Sequence, residues 1–69
     1  MKILNFFELG KKIKSYREIR GLTQADLANM VGLTVQYICY IETGKKKPSL
    51  EMVAKIAKSL KTEIKDLLG

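Results

Sequence analysis

Helix-capping residues and glycines divide the sequence into five short segments of helical period. Each segment opens on a residue whose side chain can cap a helix N-terminus. These openings are Asn5, Thr23, Thr34, Ser49 and Thr62. Gly21, Gly32 and Gly44 end the first three segments. No stretch alternates strictly between apolar and polar residues, as a half-buried strand would. The pattern therefore predicts an all-α fold.

Apolar residues recur every three or four positions within the segments, so each helix has one face for a shared core. The predicted core positions are Leu9, Ile13, Tyr16 and Ile19, then Leu27, Ala28 and Val31, then Ile38 and Ile41, then Val53, Ile56, Ala57 and Leu60, and finally Ile64, Leu67 and Leu68. At 69 residues the chain is too short for two cores. We expect one domain over residues 1–69, a compact bundle of about five helices.

The excess of basic residues indicates which kinds of partner the chain can bind. The chain has 13 Lys and Arg against 7 Asp and Glu, a net charge of +6, which favours nucleic acid first and an acidic membrane surface second. It has no His and a single cysteine, Cys39, so we expect no metal, no cofactor and no internal disulfide. No apolar run is long enough to span a membrane. A chain this short also leaves little room for a catalytic cleft, and we expect a cytoplasmic protein that is not an enzyme.

Residues 24–43 have the spacing of a helix-turn-helix motif. Ala28 lies where the first helix must pass close to the second, so a small side chain is required. Gly32 lies at the turn, where a positive φ costs glycine least. The apolar wedge that would set the crossing angle is Leu27, Val31, Leu33, Ile38 and Ile41.

Four stretches, residues 17–28, 31–34, 41–44 and 48–51, resemble the Cro/phage-repressor (Xre-type) helix-turn-helix family. The resemblance implies a lambda-repressor-like bundle that binds a palindromic operator as a homodimer and regulates transcription, in a bacterial or phage-type, nucleoid-associated setting. It also implies a partly buried ion pair between Arg17 and Glu42. A small residue close to DNA is implied at Cys39, which is either a serine-sized substitute or a redox-sensitive thiol.

The helix over 34–43 is the predicted recognition helix. At about 100° per residue, Ile38, Ile41 and Glu42 share one side. The predicted base-reading residues on the exposed side are Val35, Gln36 and Tyr40. Gln36 suits a bidentate pair with adenine. Val35 suits either a thymine methyl or packing within the protein, and Tyr40 either a base or a phosphate.

Residues around the recognition helix are expected to lie near DNA or to contact its backbone. They are Gln24, Thr34, Cys39, Thr43, Lys45, Lys46 and Lys47. Gln24 opens the second helix, whose N-terminus suits a phosphate. The three lysines follow the recognition helix, in a loop that ends at Pro48.

A homodimer is expected because one such unit buries only about 600–1,000 Å² on DNA. The predicted dimer face is Ile64, Leu67 and Leu68. Ile3, Leu4, Phe6 and Phe7 cover either a partner or their own core. The alternative function is a protein-interaction module on the same fold, such as an antitoxin or a co-regulator. No small-molecule ligand is expected.

Overall fold

The computed structural model describes residues 5–69 and contains five helices in that range. They are α1 (Phe6–Ile19), α2 (Gln24–Val31), α3 (Val35–Glu42), α4 (Leu50–Ser59) and α5 (Ile64–Leu68). The same range contains no strand, which confirms the all-α prediction. None of its helices is long and apolar enough to cross a membrane. Ile3 and Leu4 lie outside the described residues.

The first four predicted caps are present. Asn5 Oδ1 accepts from the backbone N–H groups of the second and third residues of α1, Phe7 and Glu8. Thr23 and Asp26 exchange side-chain-to-backbone hydrogen bonds, a capping box at the start of α2. The Thr34 and Ser49 hydroxyls each accept from the N–H three residues on, at 3.1 Å. These caps satisfy donors that a helix N-terminus leaves unpaired.

The predicted cap of the last helix is wrong. Glu63, not Thr62, is the N-cap of α5. The Asp66 carboxylate reaches back and accepts from Thr62 Oγ1 at 2.8 Å and from the Glu63 backbone N–H at 3.0 Å. These two hydrogen bonds lower the pKa of Asp66, and the bond from Thr62 has the larger effect. Because Asp66 takes its hydroxyl hydrogen, Thr62 anchors that carboxylate and α5 begins one residue later than predicted.

One core packs all five helices. Its buried apolar residues are Leu9, Ile13, Leu27, Ala28, Val31, Ile38, Ile41, Val53, Ile56, Ala57, Leu60 and Leu67. The half-buried Tyr16, Ile64 and Leu68 pack against them. Of the sixteen predicted core positions, fifteen are buried or half-buried, and the exception is Ile19 in α1.

Ile19 was predicted to face the core and is instead 75% exposed. At 100° per residue it lies about 120° from Ile13, outside the buried stripe. Two arginines instead lie on the inner side of α1 beyond Ile13. Arg17 is 7% exposed, and Arg20 Nε donates to the Leu60 carbonyl at the end of α4 at 2.9 Å.

The helix order leaves one side of α3 uncovered. α3 packs against α1 and α2. α4 packs against α2 and α5, and α5 also packs against α1. The inner side of α3 holds Ile38, Ile41 and Glu42, all buried. The side of α3 away from this packing is the surface available to a partner.

Gly10 lets α1 and α3 approach closely, a role that the sequence pattern did not predict. A Cβ at this position would collide with the Ile41 carbonyl oxygen and lie 2.6 Å from the Glu42 carbonyl oxygen. Both atoms are backbone, so neither can move without shifting α3. Only a residue without a side chain fits between the two helices.

We expect Gly10→Ala to lower the free energy of unfolding by about 1–2 kcal/mol, because the collision outweighs the helix propensity that alanine gains. Urea denaturation followed by circular dichroism measures the change. Ser15→Ala, an exposed position in α1, is the matched control and should not destabilise the protein. A Gly10→Ala protein as stable as the parent would show that the α1–α3 approach is not tight.

Candidate nucleic-acid interface

A buried hydrogen-bond network holds α3 against α1 and α2. Arg17 Nε donates to Glu42 Oε2 at 2.6 Å and Nη2 to Glu42 Oε1 at 3.2 Å. Arg17 Nη1 donates to the Leu22 carbonyl at 2.7 Å, and Gln24 Nε2 donates to Glu42 Oε1 at 2.9 Å. The network therefore ties α1, the turn after it and the start of α2 to the last residue of α3.

The ion pair is buried, and each of its nitrogen and oxygen atoms has a hydrogen-bond partner. Arg17 is 7% exposed and Glu42 is 5% exposed. The hydrogen bond to Glu42 raises the pKa of Arg17 above its already high ordinary value, so the guanidinium stays charged. No buried side-chain nitrogen or oxygen is left without a hydrogen-bond partner among the residues that the structure describes. A fully bonded buried pair fixes geometry, because any shift of α3 would break several charge-assisted bonds at once.

The outward side of α3 carries the predicted base-reading residues. Val35 is 46% exposed, Gln36 is exposed and Tyr40 is half-buried. Gln36 Nε2 donates to Tyr40 Oη at 2.7 Å, so these two side chains touch each other one helical turn apart. Their polar groups can hydrogen-bond with a partner while the core side of the same helix stays packed.

Cys39 and Thr43 lie on the same outward side. The Thr43 hydroxyl bonds back to the carbonyl oxygens of Cys39, at 2.9 Å, and Tyr40, at 3.3 Å. Cys39 is a half-buried free thiol. In residues 5–69 no cluster of acidic, cysteine or histidine side chains could hold a metal ion.

An open concavity of about 580 Å³ lies between the α2–α3 turn and the loop after α3. Its lining residues are Gly32, Leu33, Thr34, Gln36, Tyr37, Tyr40 and Lys46. It thus brings together four of the predicted site residues, from the cap of α3 to the basic loop. The Lys46 backbone N–H also donates to the Tyr40 carbonyl at 3.2 Å, which ties the loop to α3.

The start of α1 braces the basic loop, whose three lysines are exposed. Gly44 precedes them with a φ of +79°, and a Cβ there would lie 3.0 Å from the Cα of Phe7. Lys47 Nζ lies 5.6 Å from the centre of the Phe6 ring, a cation–π contact. Phe6 packs against the protein's own core, whereas Phe7 is 54% exposed.

The structure bears on two of the predicted roles. Leu67 was assigned to a dimer face, but it is 1% exposed, and a side chain inside its own core has no surface for a partner. Ile64 and Leu68 are half-buried. Gln24 was expected to contact a phosphate, and one N–H of its side-chain amide already donates to Glu42, a contact without a local signal in the sequence. Its backbone N–H remains at the first turn of α2, where no intrahelical acceptor exists.

Comparison with known proteins finds relatives among helix-turn-helix regulators. The helix-turn-helix family model HTH_3 matches residues 13–67. The chain is 46% identical over 56 residues to an uncharacterised HTH-type transcriptional regulator of Methanocaldococcus jannaschii, covering 81% of this chain and 85% of that one. It is 35% identical over 60 residues to control protein C.SmaI of Serratia marcescens, covering 87% and 71%.

The fold also matches solved structures. The restriction-modification controller protein C.AhdI of Aeromonas hydrophila superimposes with a TM-score of 0.86 at 31% identity, over 90% of this chain and 94% of that chain. Because the match covers 90% of this chain, it concerns the bundle and not only the two helices of the motif.

We expect Arg17→Met to lower the free energy of unfolding by about 3–5 kcal/mol, because Glu42 is left charged, buried and without its partner. Denaturant titration checks this value. The double variant Arg17→Met/Glu42→Leu should be more stable than Arg17→Met, since it removes the orphaned carboxylate as well.

The exposed ion pair on α5 is the matched control. Lys65 Nζ lies 3.7 Å from Glu63 Oε1, with both side chains more than 70% exposed. Glu63→Gln should therefore change stability by less than about 1 kcal/mol. A loss from Arg17→Met as small as this would contradict a structural role for the buried pair.

Proposed function

This chain belongs to the HTH_3 helix-turn-helix family of DNA-binding transcriptional regulators, and we propose that it binds a palindromic operator as a homodimer with α3 in the major groove. Its curated relatives are regulators and not enzymes. The observation that carries the proposal is the division of α3 into two sides. One side is locked by Glu42 and the core, and the other presents Val35, Gln36 and Tyr40 beside a basic loop.

Base recognition is assigned to the N-terminal half of α3, which enters the groove first. The Gln36 amide matches the N6 donor and N7 acceptor of adenine, and a Val35 methyl group matches the methyl group of thymine. Both side chains are exposed, so neither has to leave the core to reach a base. Tyr40 lies one turn further along and contacts either a base or a phosphate.

Phosphate contacts are assigned to groups around α3. The backbone N–H of Gln24 and the N-terminus of α2 suit an anion. Thr34, Cys39 and Thr43 lie near the DNA backbone in this arrangement, and their hydroxyl or thiol groups are secondary contacts. The basic loop Lys45, Lys46 and Lys47 supplies charge that neutralises the flanking phosphates.

The homodimer proposal rests on size and on half-buried apolar residues. One domain covers too little DNA for tight specific binding. Ile64 and Leu68 of α5 are half-buried in the single chain, and a second copy that covered them would bury more apolar surface. Leu67 takes no part in this face. A regulator of this kind acts where the DNA is, in the cytoplasm at the nucleoid.

Selection from a random DNA library at ~150 mM salt tests the proposal. We expect a palindromic consensus whose half-sites lie about one helical turn apart, because each protomer of a two-fold dimer reads one half-site. Footprinting of the selected sequence should show two protected regions on one face of the duplex. Absence of any preference over random competitor would contradict the proposal and direct the search to a protein partner.

A lysine comparison on the selected sequence supplies the control. Lys46→Ala should reduce the slope of log affinity against log salt by about 2 for the dimer, because one phosphate contact is lost in each of the two protomers. Lys65→Ala, on α5 and beside Glu63, should leave that slope unchanged. Equal effects of the two changes would mean that net charge alone draws the protein to DNA.

A further inference from the structure

We propose that Tyr40 is a positioning residue which orients the Gln36 amide for adenine, and this inference rests on the proposed function. The two residues are four apart in α3, and Gln36 Nε2 donates to Tyr40 Oη at 2.7 Å. Side chains four apart on a helix lie on the same face, so the bond needs no distortion of α3. It is formed in the free protein, before any DNA is present.

The bond leaves the amide with the pattern that adenine needs. A glutamine amide has two N–H hydrogens and one carbonyl oxygen. Donation to Tyr40 uses one hydrogen, so Gln36 still offers one N–H donor and one oxygen acceptor. These are the two groups that pair with adenine N7 and N6. The pair with Tyr40 and the pair with adenine are therefore compatible.

The bond also selects one orientation of the amide. A tyrosine hydroxyl can accept from Nε2, or donate to Oε1 if the amide turns over. In the structure the hydroxyl accepts from Nε2, which leaves Oε1 and the second N–H of the amide free for a base. Tyr40 is half-buried, whereas Gln36 is exposed, and the two side chains line the same concavity as Lys46.

The expected consequence is a gain in selectivity. Gln36 is exposed, and a free glutamine side chain loses rotamer freedom when it binds a base. Holding the side chain beforehand favours adenine, because adenine is the one base that presents an acceptor and a donor side by side in the major groove. Tyr40 should therefore raise the preference for adenine rather than the affinity for all DNA.

The experiment uses the selected operator and three versions of it that differ at one base pair. That base pair is the one at which Gln36→Ala abolishes the preference. Fluorescence anisotropy then gives the affinity of the parent, Tyr40→Phe, Gln36→Ala and the double variant for all four DNAs. We expect Tyr40→Phe to reduce the preference for adenine by about three- to tenfold. In the Gln36→Ala background, Tyr40→Phe should change no preference at that base pair.

Side-chain amide resonances of the free protein test the bond without DNA. The chain has two glutamines, Gln24 and Gln36, so the Nε2 signals are easily assigned. Tyr40→Phe keeps the ring and should move the Gln36 signals more than those of Gln24. Tyr16→Phe, which removes a hydroxyl from α1, is the matched control and should move neither preference nor the Gln36 signals. Thermal denaturation checks that both variants fold.

The outcomes separate this inference from the proposed function. A selective parent with an equally selective Tyr40→Phe variant would overturn the positioning role. A loss of affinity that is equal for all four base pairs would also overturn it and make Tyr40 a backbone contact. A parent that shows no base preference anywhere would instead reject the proposed function, and this inference with it.

Discussion

The buried pair between Arg17 and Glu42 is the interaction on which the geometry of this domain depends. It joins the first helix to the end of the third across 25 residues of sequence. The same carboxylate accepts from Gln24 at the start of α2, and the same guanidinium donates to the turn before it. Three helices are thus held by one fully bonded cluster. The cluster matters more for the position of α3 than for net stability, because moving α3 would leave buried charges without their partners.

The two sides of α3 explain how a short chain combines a core with a binding surface. Ile38, Ile41 and Glu42 face inward, while Gln36 and Tyr40 face outward and bond to each other. Gly10 lets α1 pack directly on the α3 backbone, so even the main chain of α3 has little freedom. The rigid inner side is what makes a defined outer side possible, because the polar groups that meet a partner do not depend on a mobile loop.

Much of the fold could be predicted because its signals are local. Thr23, Thr34 and Ser49 cap the helices that they precede, and each bond spans three residues. The core of α2, α3 and α4 follows the helical period. Local patterns failed where a distant group decides the outcome. Ile19 is exposed because the inner side of α1 is continued by Arg17 and Arg20, which bond to Glu42 of α3 and to the end of α4.

The site was predictable in its outline and less so in its detail. Helical angle alone places Gln36 and Tyr40 together, and the basic loop follows α3 in sequence. The engagement of Gln24 by Glu42 depends on how α2 meets α3 and has no local signal. For Thr62 and Leu67, too, contacts between side chains decide an outcome that the local sequence pattern does not predict. A carboxylate four residues on takes the threonine hydroxyl, and packing of α5 against α4 and α1 buries the leucine.

The most direct test of this account is a titration of the ¹⁵N-labelled protein with operator DNA, followed by amide chemical shifts. We expect the large changes to fall on residues 32–47 and on the start of α2, with α5 and the middle of α1 little changed. The Arg17 and Gln24 side-chain signals should persist in the complex, since the network stays intact. Large changes centred on α5 or α1, with α3 unaffected, would contradict the claim that the outward side of α3 binds DNA.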